Sequence, residues 1–381
     1  MQKIKTIVLG DLPYTASGLS YHAEMRAQGL ERLGHEVVRM QPHNPKRADF
    51  IKQGFNTVIG IGAWFAIDSI VNPTKELCAS PIPDLVSDGR VEGKQDIFNS
   101  LPLMFTPSQY CKSIYVADGV KPEIIHVLPI GIDLSMFKPN NSQVAMRLKR
   151  KLCGSVKKKM LLNVGATSLA KGGREIIEAL PKVVKEYQDF KMVFKVQPSW
   201  AISKPEAQEI KRDKKRVHRL GLDPYVTWHE IQYPHMEDMV ALFQACDIYV
   251  APSRQDGFGI SFVQSQACGK PVITQRGTAP EELILDGTTG LLCKTAKWGY
   301  YEWDGSNWLD YFVDKPKFHR PPYATIADSD DLSEKILKLL TDDDLRTKMG
   351  LNARIHMERN YEMTNIAKGM VDIIEQHWQV D

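Results

Sequence analysis

Residues 247–274 of the 381-residue chain read DIYVAPSRQDGFGISFVQSQACGKPVIT. The apolar run 247–251 predicts a buried strand, 258–268 predicts a helix, and 271–274 predicts a second strand. A Gly-x-Gly turn at Gly257 and Gly259 joins the first strand to the helix. This order predicts a strand–helix–strand unit whose two strands lie parallel in one sheet.

The turn before this helix is suited to binding an anion or a polyol. Free N–H groups of a glycine turn and of a first helical turn point to one spot, where they can donate to a ligand. Asp256 lies just before the turn and Gln264 lies eight residues further on, so both can approach one ligand. A second interpretation of Asp256 is purely structural, as a cap of the helix.

The same alternation of strands and helices extends over most of the chain and predicts an α/β protein with two doubly wound, Rossmann-like domains facing a cleft. Predicted strands lie at 4–10, 36–40, 57–61, 83–86, 103–106 and 124–128, and again at 160–164, 190–196 and 225–229. We predict a first domain at 1–150, a second at 151–365, and a C-terminal helix at 366–381 that packs back on the first. Ligands of such sheets bind beyond the carboxyl ends of the strands.

Composition and charge exclude several classes of protein. Apolar residues make up 43% and charged residues 25%, values that are typical of globular proteins and exclude a disordered chain. The N-terminus predicts neither a signal peptide nor a membrane span, and hence a cytoplasmic location. The six cysteines form no CxxC pair, which predicts reduced thiols and no metal site.

Three segments carry unusual composition. The formal net charge of +3 excludes a chain-wide electrostatic DNA clamp, but it conceals basic stretches at 147–159 and 211–219. These stretches are either solvated helix faces or surfaces for nucleic acid or an anionic membrane. Residues 294–323 hold nine of the 33 aromatic residues, which predicts either an ordered loop packed on its own rings or a binding surface.

The stretch quoted first resembles the large family of retaining GT-B glycosyltransferases, of the group 1 or family 4 type, that includes glycogen synthase-like enzymes and mannosyltransferases. The family pattern reads P-S-x-x-E-G-F-G-x-x-x-x-E-A-x-A-x-G-x-P-V-I. The matching residues are Pro252, Ser253, Gly257, Phe258, Gly259, Ala267, Gly269, Pro271, Val272 and Ile273, with Asp256 and Gln264 at the two glutamate positions. Further matches lie at 127–139, at 165–172 and at 282–292.

The resemblance implies a reaction and a set of site residues. The implied catalytic residues are Asp256, Asp88 and Lys171, and the implied donor-binding residues are Gly18, Gly165, Lys171, Arg254, Gly257, Phe258, Gly259, Ile260, Gln264 and Glu282. A nucleotide-diphosphate sugar of UDP or GDP type is the implied co-substrate and binds mainly to the second domain, while the acceptor binds to the first. Cations and amides, with no metal and no permanently bound cofactor, stabilise the leaving phosphates.

The sequence departs from the family at several positions. Ala166 stands where the family has an arginine ahead of Lys171, and either Arg174 or Arg254 is a candidate replacement. Gln264 is neutral, so its hydrogen bonds to a ribose lack the added strength of a charged acceptor.

The sequence therefore predicts a retaining glycosyltransferase that acts on a glycan, a lipid-linked molecule or a small molecule, either free in the cytoplasm or peripheral at a membrane. Three alternatives are a glycosyltransferase that acts on a modified nucleic-acid base, a catalytically weak sugar-nucleotide-binding protein, and a GT-B-like sugar-nucleotide epimerase. Steep salt dependence of DNA binding distinguishes the first alternative, and absence of turnover distinguishes the second.

Overall fold

A computed structural model describes residues 4–11, 17–89, 91, 93–140, 142–165, 170–303, 308–313 and 324–378. The chain divides into two compact units, one formed by Met1–Asp133 with Arg359–Asp381 and the other by Leu134–Glu358. The boundary of the first unit thus lies before the predicted residue 150, because the helix Gln143–Cys153 packs on the helix Met236–Ala245 of the second unit. The second boundary lies inside the long helix Asp343–Asn360.

The first unit is built around a parallel sheet of six strands. The strands are β1 (Lys5–Leu9), β2 (Glu36–Met40), β3 (Thr57–Ala63), β4 (Ser80–Val86), β5 (Met104–Thr106) and β6 (Ile125–Val127), in the order β2-β1-β3-β4-β5-β6. The helices are α1 (Gly18–Arg32), α2 (Arg47–Lys52), α3 (Ile67–Glu76), α4 (Gln95–Asn99) and α5 (Gln109–Ala117). This strand order, with every pair parallel, is that of a doubly wound α/β domain.

The C-terminal helix, Met363–Trp378, completes this first unit by packing against α1. Its apolar side chains Ile366, Ala367 and Met370 share one buried cluster with Ala23 and Ala27 of α1. The two backbones approach so closely that a Cβ at Gly29 would lie 2.8 Å from the Cβ of Ala367.

The second unit repeats the architecture with a second parallel sheet of six strands. These are β7 (Lys159–Val164), β8 (Phe190–Val196), β9 (Val226–Glu230), β10 (Ile248–Val250), β11 (Val272–Gln275) and β12 (Gly290–Cys293), in the order β12-β11-β10-β7-β8-β9. The helices are α6 (Gln143–Cys153), α7 (Gly173–Glu186), α8 (Lys204–Arg219), α9 (Met236–Ala245), α10 (Ile260–Ala267), α11 (Ser329–Thr341) and α12 (Asp343–Asn360), and the C-terminal helix of the first unit is α13. A buried cluster that includes Leu161, Ile176 and Phe194 joins the sheet to α7.

The aromatic-rich segment differs from the predicted ordered loop. Its described residues form two strands, β13 (Thr295–Trp303) and β14 (Trp308–Val313). With β15 (Ala324–Ala327), which follows the segment, they make an antiparallel sheet in the order β14-β13-β15. Aromatic residues favour strands because their rings pack well on a pleated surface. The remaining residues of the segment, 304–307 and 314–323, lie outside the described ranges.

None of the helices described is long and apolar enough to cross a membrane. Cys78 is exposed and the other five cysteines are buried, all as free thiols.

Candidate active site

Two loops of the second unit meet beyond the carboxyl ends of the adjacent strands β7 and β10. The amide Nδ2 of Asn163, in β7, donates to the carbonyl of Lys171 at 3.1 Å and to the carbonyl of Val250, in β10, at 2.8 Å. The backbone N–H of Arg254 donates to the carbonyl of Ala170 at 2.9 Å. These bonds hold the loop that contains Lys171 against the loop that contains the family motif.

An ion pair joins the tips of the two loops. The ammonium of Lys171 donates to Oδ2 of Asp256, and the other carboxylate oxygen accepts a longer bond of 3.4 Å from the N–H of Phe258. Phe258 precedes Gly259, which is the N-cap of α10. Asp256 therefore accepts a hydrogen bond within the glycine turn and does not cap the helix. The structure therefore brings two of the three predicted catalytic residues into direct contact.

A second ion pair of the same region is more deeply buried than the first. The guanidinium of Arg254 donates to the carboxylate of Glu175, in the first turn of α7, and both side chains are buried. Arg254 was predicted to bind the donor directly, but its charge is paired inside the unit. The other candidate for the missing arginine, Arg174, lies 3.6 Å from the carboxylate of Glu209.

Two helices, α7 and α10, begin at these loops. Each has a left-handed glycine at its N-cap, Gly172 with φ +70° and Gly259 with φ +98°, and neither first turn is capped by a side chain. A Cβ at Gly172 would overlap the carbonyl oxygen of Pro252, and a Cβ at Gly259 would lie 2.6 Å from the ring of Phe262. The N-termini of both helices therefore lie at the edge of the sheet where Lys171 lies. The partial positive charge of a helix N-terminus favours an anion there.

The other predicted residues of the second unit lie in or near the motif loop, residues 251–259, which joins β10 to α10. Gly257, Phe258 and Gln264 are buried, and Ile260 is the first residue of α10. Glu282 is exposed on a short 3-10 helix, Ala279–Leu283, whose first N–H donates to the carbonyl of Asp256 at 3.3 Å. Gly165 follows β7, and Ala166 lies outside the described residues.

Two predicted residues, Gly18 and Asp88, lie in the first unit. Gly18 begins α1, where Ser17 caps the helix by accepting from the N–H of Ser20 at 3.0 Å. Asp88 is exposed two residues after the end of β4. Their predicted roles in donor and acceptor contact stay predictions.

The sequence analysis missed a buried polar cluster between α1 and β4. Oδ2 of Asp84, in β4, lies 3.0 Å from Nε2 of His22 and accepts from Nε of Arg26 at 2.7 Å. Burial alone would raise the pKa of Asp84, but the nearby Arg26 and His22 lower it to about 2. Arg26 also donates to the carbonyls of Leu128 and Pro129, so the cluster ties α1 to β4 and to the segment after β6.

A second missed contact set ties the aromatic-rich sheet to the motif loop. The N–H of Thr325, in β15, donates to the carbonyl of Arg254 at 2.8 Å. The buried amide of Gln275 donates to the carbonyl of Ser253 at 2.9 Å and to the hydroxyl of Thr325 at 2.7 Å. These partners lie far apart along the chain, so no local pattern indicates them.

The basic stretch 211–219 lies in α8, and the stretch 147–159 begins in α6 and continues to the first residue of β7. In α8, Arg216 pairs with Asp213 at 2.7 Å and Lys214 pairs with Glu230, which is typical of a solvated helix face. In α6, Lys149 pairs with Asp247 at 2.6 Å, whereas Arg147 and the other cations of the helix point outward.

Residues 147–304 match the family described as glycosyl transferases group 1. This region, which makes up less than half of the chain, is therefore similar to the group 1 glycosyl transferases. The matched residues include both helix N-termini, Lys171 and the whole motif loop. The resemblance found in the sequence is thereby confirmed for this family.

Curated relatives are similar over part of their length. The chain is 28% identical over 258 residues to a D-inositol 3-phosphate glycosyltransferase of Corynebacterium kroppenstedtii, covering 67% of this chain and 48% of that protein. It is 25% identical over 319 residues to spore coat protein SA of Bacillus subtilis, covering 82% of this chain and 70% of that protein. The chain spans about half the length of the D-inositol 3-phosphate glycosyltransferases that it matches.

Solved structures are similar over nearly the whole chain. HepE of Anabaena, solved with UDP and glucose, has a TM-score of 0.74 at 16% identity, covering 98% of this chain and 100% of that chain. Sucrose-phosphate synthase of Thermosynechococcus elongatus has a TM-score of 0.72 at 16% identity, covering 99% and 100%. The two Rossmann-like units thus have the GT-B fold, and the predicted fold class is confirmed.

Proposed function

We propose that this group 1 glycosyl transferase moves a sugar from a nucleoside diphosphate sugar to a hydroxyl acceptor, with retention of the anomeric configuration. One observation carries the proposal: the ion pair of Lys171 and Asp256 lies where α7 and α10 begin with uncapped first turns. A cation and two helix N-termini supply positive potential for a diphosphate, and the carboxylate beside them supplies an acceptor for sugar hydroxyls.

The proposed reaction needs charge stabilisation at the leaving group. The bond between the anomeric carbon and the phosphate oxygen breaks, its electron pair stays on the diphosphate, and Lys171 with the helix N–H groups stabilises the charge that develops. Asp256 contacts the sugar as it passes through an oxocarbenium-like state. The acceptor oxygen bonds to the anomeric carbon, and its proton passes to an oxygen of the departing phosphate.

The ion pair that the structure shows must open for this to happen. Lys171 turns from the carboxylate to the phosphates when the donor binds, and Asp256 is released to accept hydrogen bonds from the sugar. Partly exposed ion pairs contribute only about 0–1 kcal/mol, so the exchange of partners costs little. Arg254 and Glu175 hold the loops in place while the exchange occurs.

Uracil is the base that we propose for the donor. HepE was solved with UDP and with UDP-glucose, and a variant of TarM of S. aureus, with a TM-score of 0.60, was solved with UDP among its ligands. The acceptor is proposed only by class, as a glycan or a small molecule with a free hydroxyl, since curated relatives include a D-inositol 3-phosphate glycosyltransferase and an MMP α-(1→4)-mannosyltransferase.

A thermal-shift panel tests the proposal. UDP, GDP, ADP and their sugar derivatives are each added to the full chain, and we expect UDP and one UDP-sugar to raise the melting temperature. Hydrolysis or transfer of that donor, followed by NMR of the anomeric proton, then tests turnover and retention. Absence of stabilisation by every nucleotide contradicts the proposal, and binding without any turnover favours the non-catalytic alternative.

A further inference from the structure

A buried lysine lies at the carboxyl end of β8, beside the strand that leads to the candidate site. Lys195 is the penultimate residue of β8, and its Cα pairs in register with Val164 of β7 and with His229 of β9. Its carbonyl accepts from the N–H of Gly165 at 3.1 Å. Lys195 therefore lies beside the point where β7 ends and the chain continues towards Lys171.

No carboxylate of the described residues balances the charge of the Lys195 side chain. The residue is only 6% exposed, and its ammonium forms no ion pair or hydrogen bond with any residue in the described ranges. Residues 166–169, which follow β7 and lie outside those ranges, are Ala-Thr-Ser-Leu and contain no carboxylate. A lysine is rarely buried without an anion, because its ammonium loses hydration that nothing else replaces.

Two other basic side chains, His229 and Lys151, lie near Lys195. His229, on the next strand, is held by a bond of 2.6 Å between its Nε2 and the hydroxyl of Tyr233. Burial lowers the pKa of His229, and the nearby charges of Lys151 and Lys195 lower it further. Burial likewise lowers the pKa of Lys195 to about 8, so the ammonium form is dominant at neutral pH.

A second polar group at the same strand end also lacks a partner. Oε1 of Gln197, two residues after Lys195, is buried and accepts no hydrogen bond from any described residue. A buried acceptor without a donor is costly in the empty protein and is satisfied when a ligand supplies one. A ligand that satisfies both groups carries an anionic oxygen for the lysine and a hydroxyl or N–H for the amide, as a nucleotide does.

We propose that Lys195 is a second cation for the diphosphate of the donor and takes the place of the arginine that Ala166 replaces. The inference rests on the proposed function. The two arginines that the sequence offered for this role are engaged elsewhere, Arg174 beside Glu209 and Arg254 with Glu175. Lys195 lies instead near the carboxyl end of β8, the strand beside β7.

The first test separates the phosphates from the nucleoside. Calorimetric titration at pH 7 compares UDP with uridine on the wild type and on Lys195→Met, which keeps an unbranched side chain, one heavy atom shorter, but removes its charge. We expect the variant to bind UDP about 10- to 100-fold more weakly, while uridine affinity changes less than about twofold. Lys191→Met is the matched control at the amino end of the same strand, where the ammonium donates to the carbonyl of Pro224, and it should bind UDP like the wild type.

The second test uses pH to distinguish a ligand-binding lysine from a structural one. The ammonium is charged below pH 8 and neutral above it, so wild-type affinity for UDP should be full at pH 7 and fall as pH rises through 8. Lys195→Arg should keep its affinity up to pH 9.5, and Lys195→Met should be weak and flat across the range. Lys195→Met should also melt at or above the wild-type temperature without nucleotide, because an unpaired buried charge has been removed.

The outcomes separate this inference from the proposed function. If the wild type binds none of UDP, GDP and ADP, the proposed function fails and the inference fails with it. If GDP or ADP binds in place of UDP, that nucleotide and its nucleoside take the place of UDP and uridine in both tests. If Lys195→Met binds the nucleotide as tightly as the wild type while Lys171→Ala binds it weakly, the function stands and the role of Lys195 is overturned.

Discussion

Two ion pairs join the motif loop to the segment that runs from Lys171 into the first turn of α7, yet they differ sharply in burial. The side chains of Lys171 and Asp256 are 24% and 11% exposed, whereas those of Arg254 and Glu175 are 1% and 2% exposed. Opening a buried pair leaves an uncompensated charge, which is far more costly than opening a pair that water can reach. We therefore infer different roles for the two pairs. The inner pair, Arg254 with Glu175, holds the two segments together, whereas the outer pair, Lys171 with Asp256, opens when a ligand binds.

The largest effect is expected when the inner pair is broken. Glu175→Gln leaves the guanidinium of Arg254 buried without a counter-charge, so the free energy of unfolding should fall by about 3–5 kcal/mol in urea denaturation. Glu178→Gln, on the same helix, is the control, because its exposed carboxylate lies 3.8 Å from Arg216 and should contribute less than about 0.5 kcal/mol. Equal stabilities of the two variants would contradict the structural role of the inner pair.

The next effect is expected in catalysis at the outer pair. Asp256→Asn removes the carboxylate proposed to contact the sugar, so kcat should fall by about 100- to 1000-fold while the donor KM changes less than about tenfold. Its free energy of unfolding should stay within about 1 kcal/mol of the wild type. Steady-state kinetics with the donor found in the thermal-shift panel measure this, and a wild-type kcat would refute the assignment of Asp256.

A smaller effect is expected at the other member of the outer pair. Lys171→Ala removes one charged contact to the phosphates, so the dissociation constant of UDP should rise by about 10- to 100-fold in calorimetric titration. Lys185→Ala, exposed in the last turn of α7, should bind UDP like the wild type. Equal affinities of the two variants would remove Lys171 from the donor site.

The smallest effect sharpens the position of Arg254. Arg254→Lys keeps the charge but removes the Nη2 that donates to the carboxylate of Glu175, so we expect a loss of about 1 kcal/mol in stability. UDP affinity should change less than about threefold if Arg254 acts only through the loop. The reverse result, weaker UDP binding at unchanged stability, would restore the direct donor contact that the sequence predicted for it.

The sequence predicted the parallel strands well because each is a short apolar run with clear boundaries. β2 and β8 have the predicted bounds, and most others differ by one or two residues. β4 begins at Ser80, three residues earlier than predicted. Pro81 and Pro83 lie within it, and prolines are uncommon inside a strand. Prolines two residues apart remove N–H donors from one side of a strand only, so β4 still pairs with β3 over its whole length.

The candidate site was predictable only where its residues are close in the sequence. Asp256 and the two glycines of the turn lie in one stretch, and Lys171 lies in a second recognisable segment. Glu175, Asn163 and Thr325 were missed, because their roles depend on partners between 8 and 87 residues away. A family motif contains contacts to the ligand, whereas the residues that hold the motif in place follow no local pattern.

The sequence by itself determined the two α/β halves, the motif loop and the glycines at its turn, because hydrophobic periodicity and left-handed turns are local properties of the chain. The tertiary structure alone decided which cationic side chains are paired with a carboxylate. Arg254 and Lys195 are both cations at the strand ends, but folding buries Arg254 beside a carboxylate, whereas it buries Lys195 with no carboxylate partner among the described residues. That difference arises from the packing of distant segments, since the free energy of a charge in a protein depends on what surrounds it.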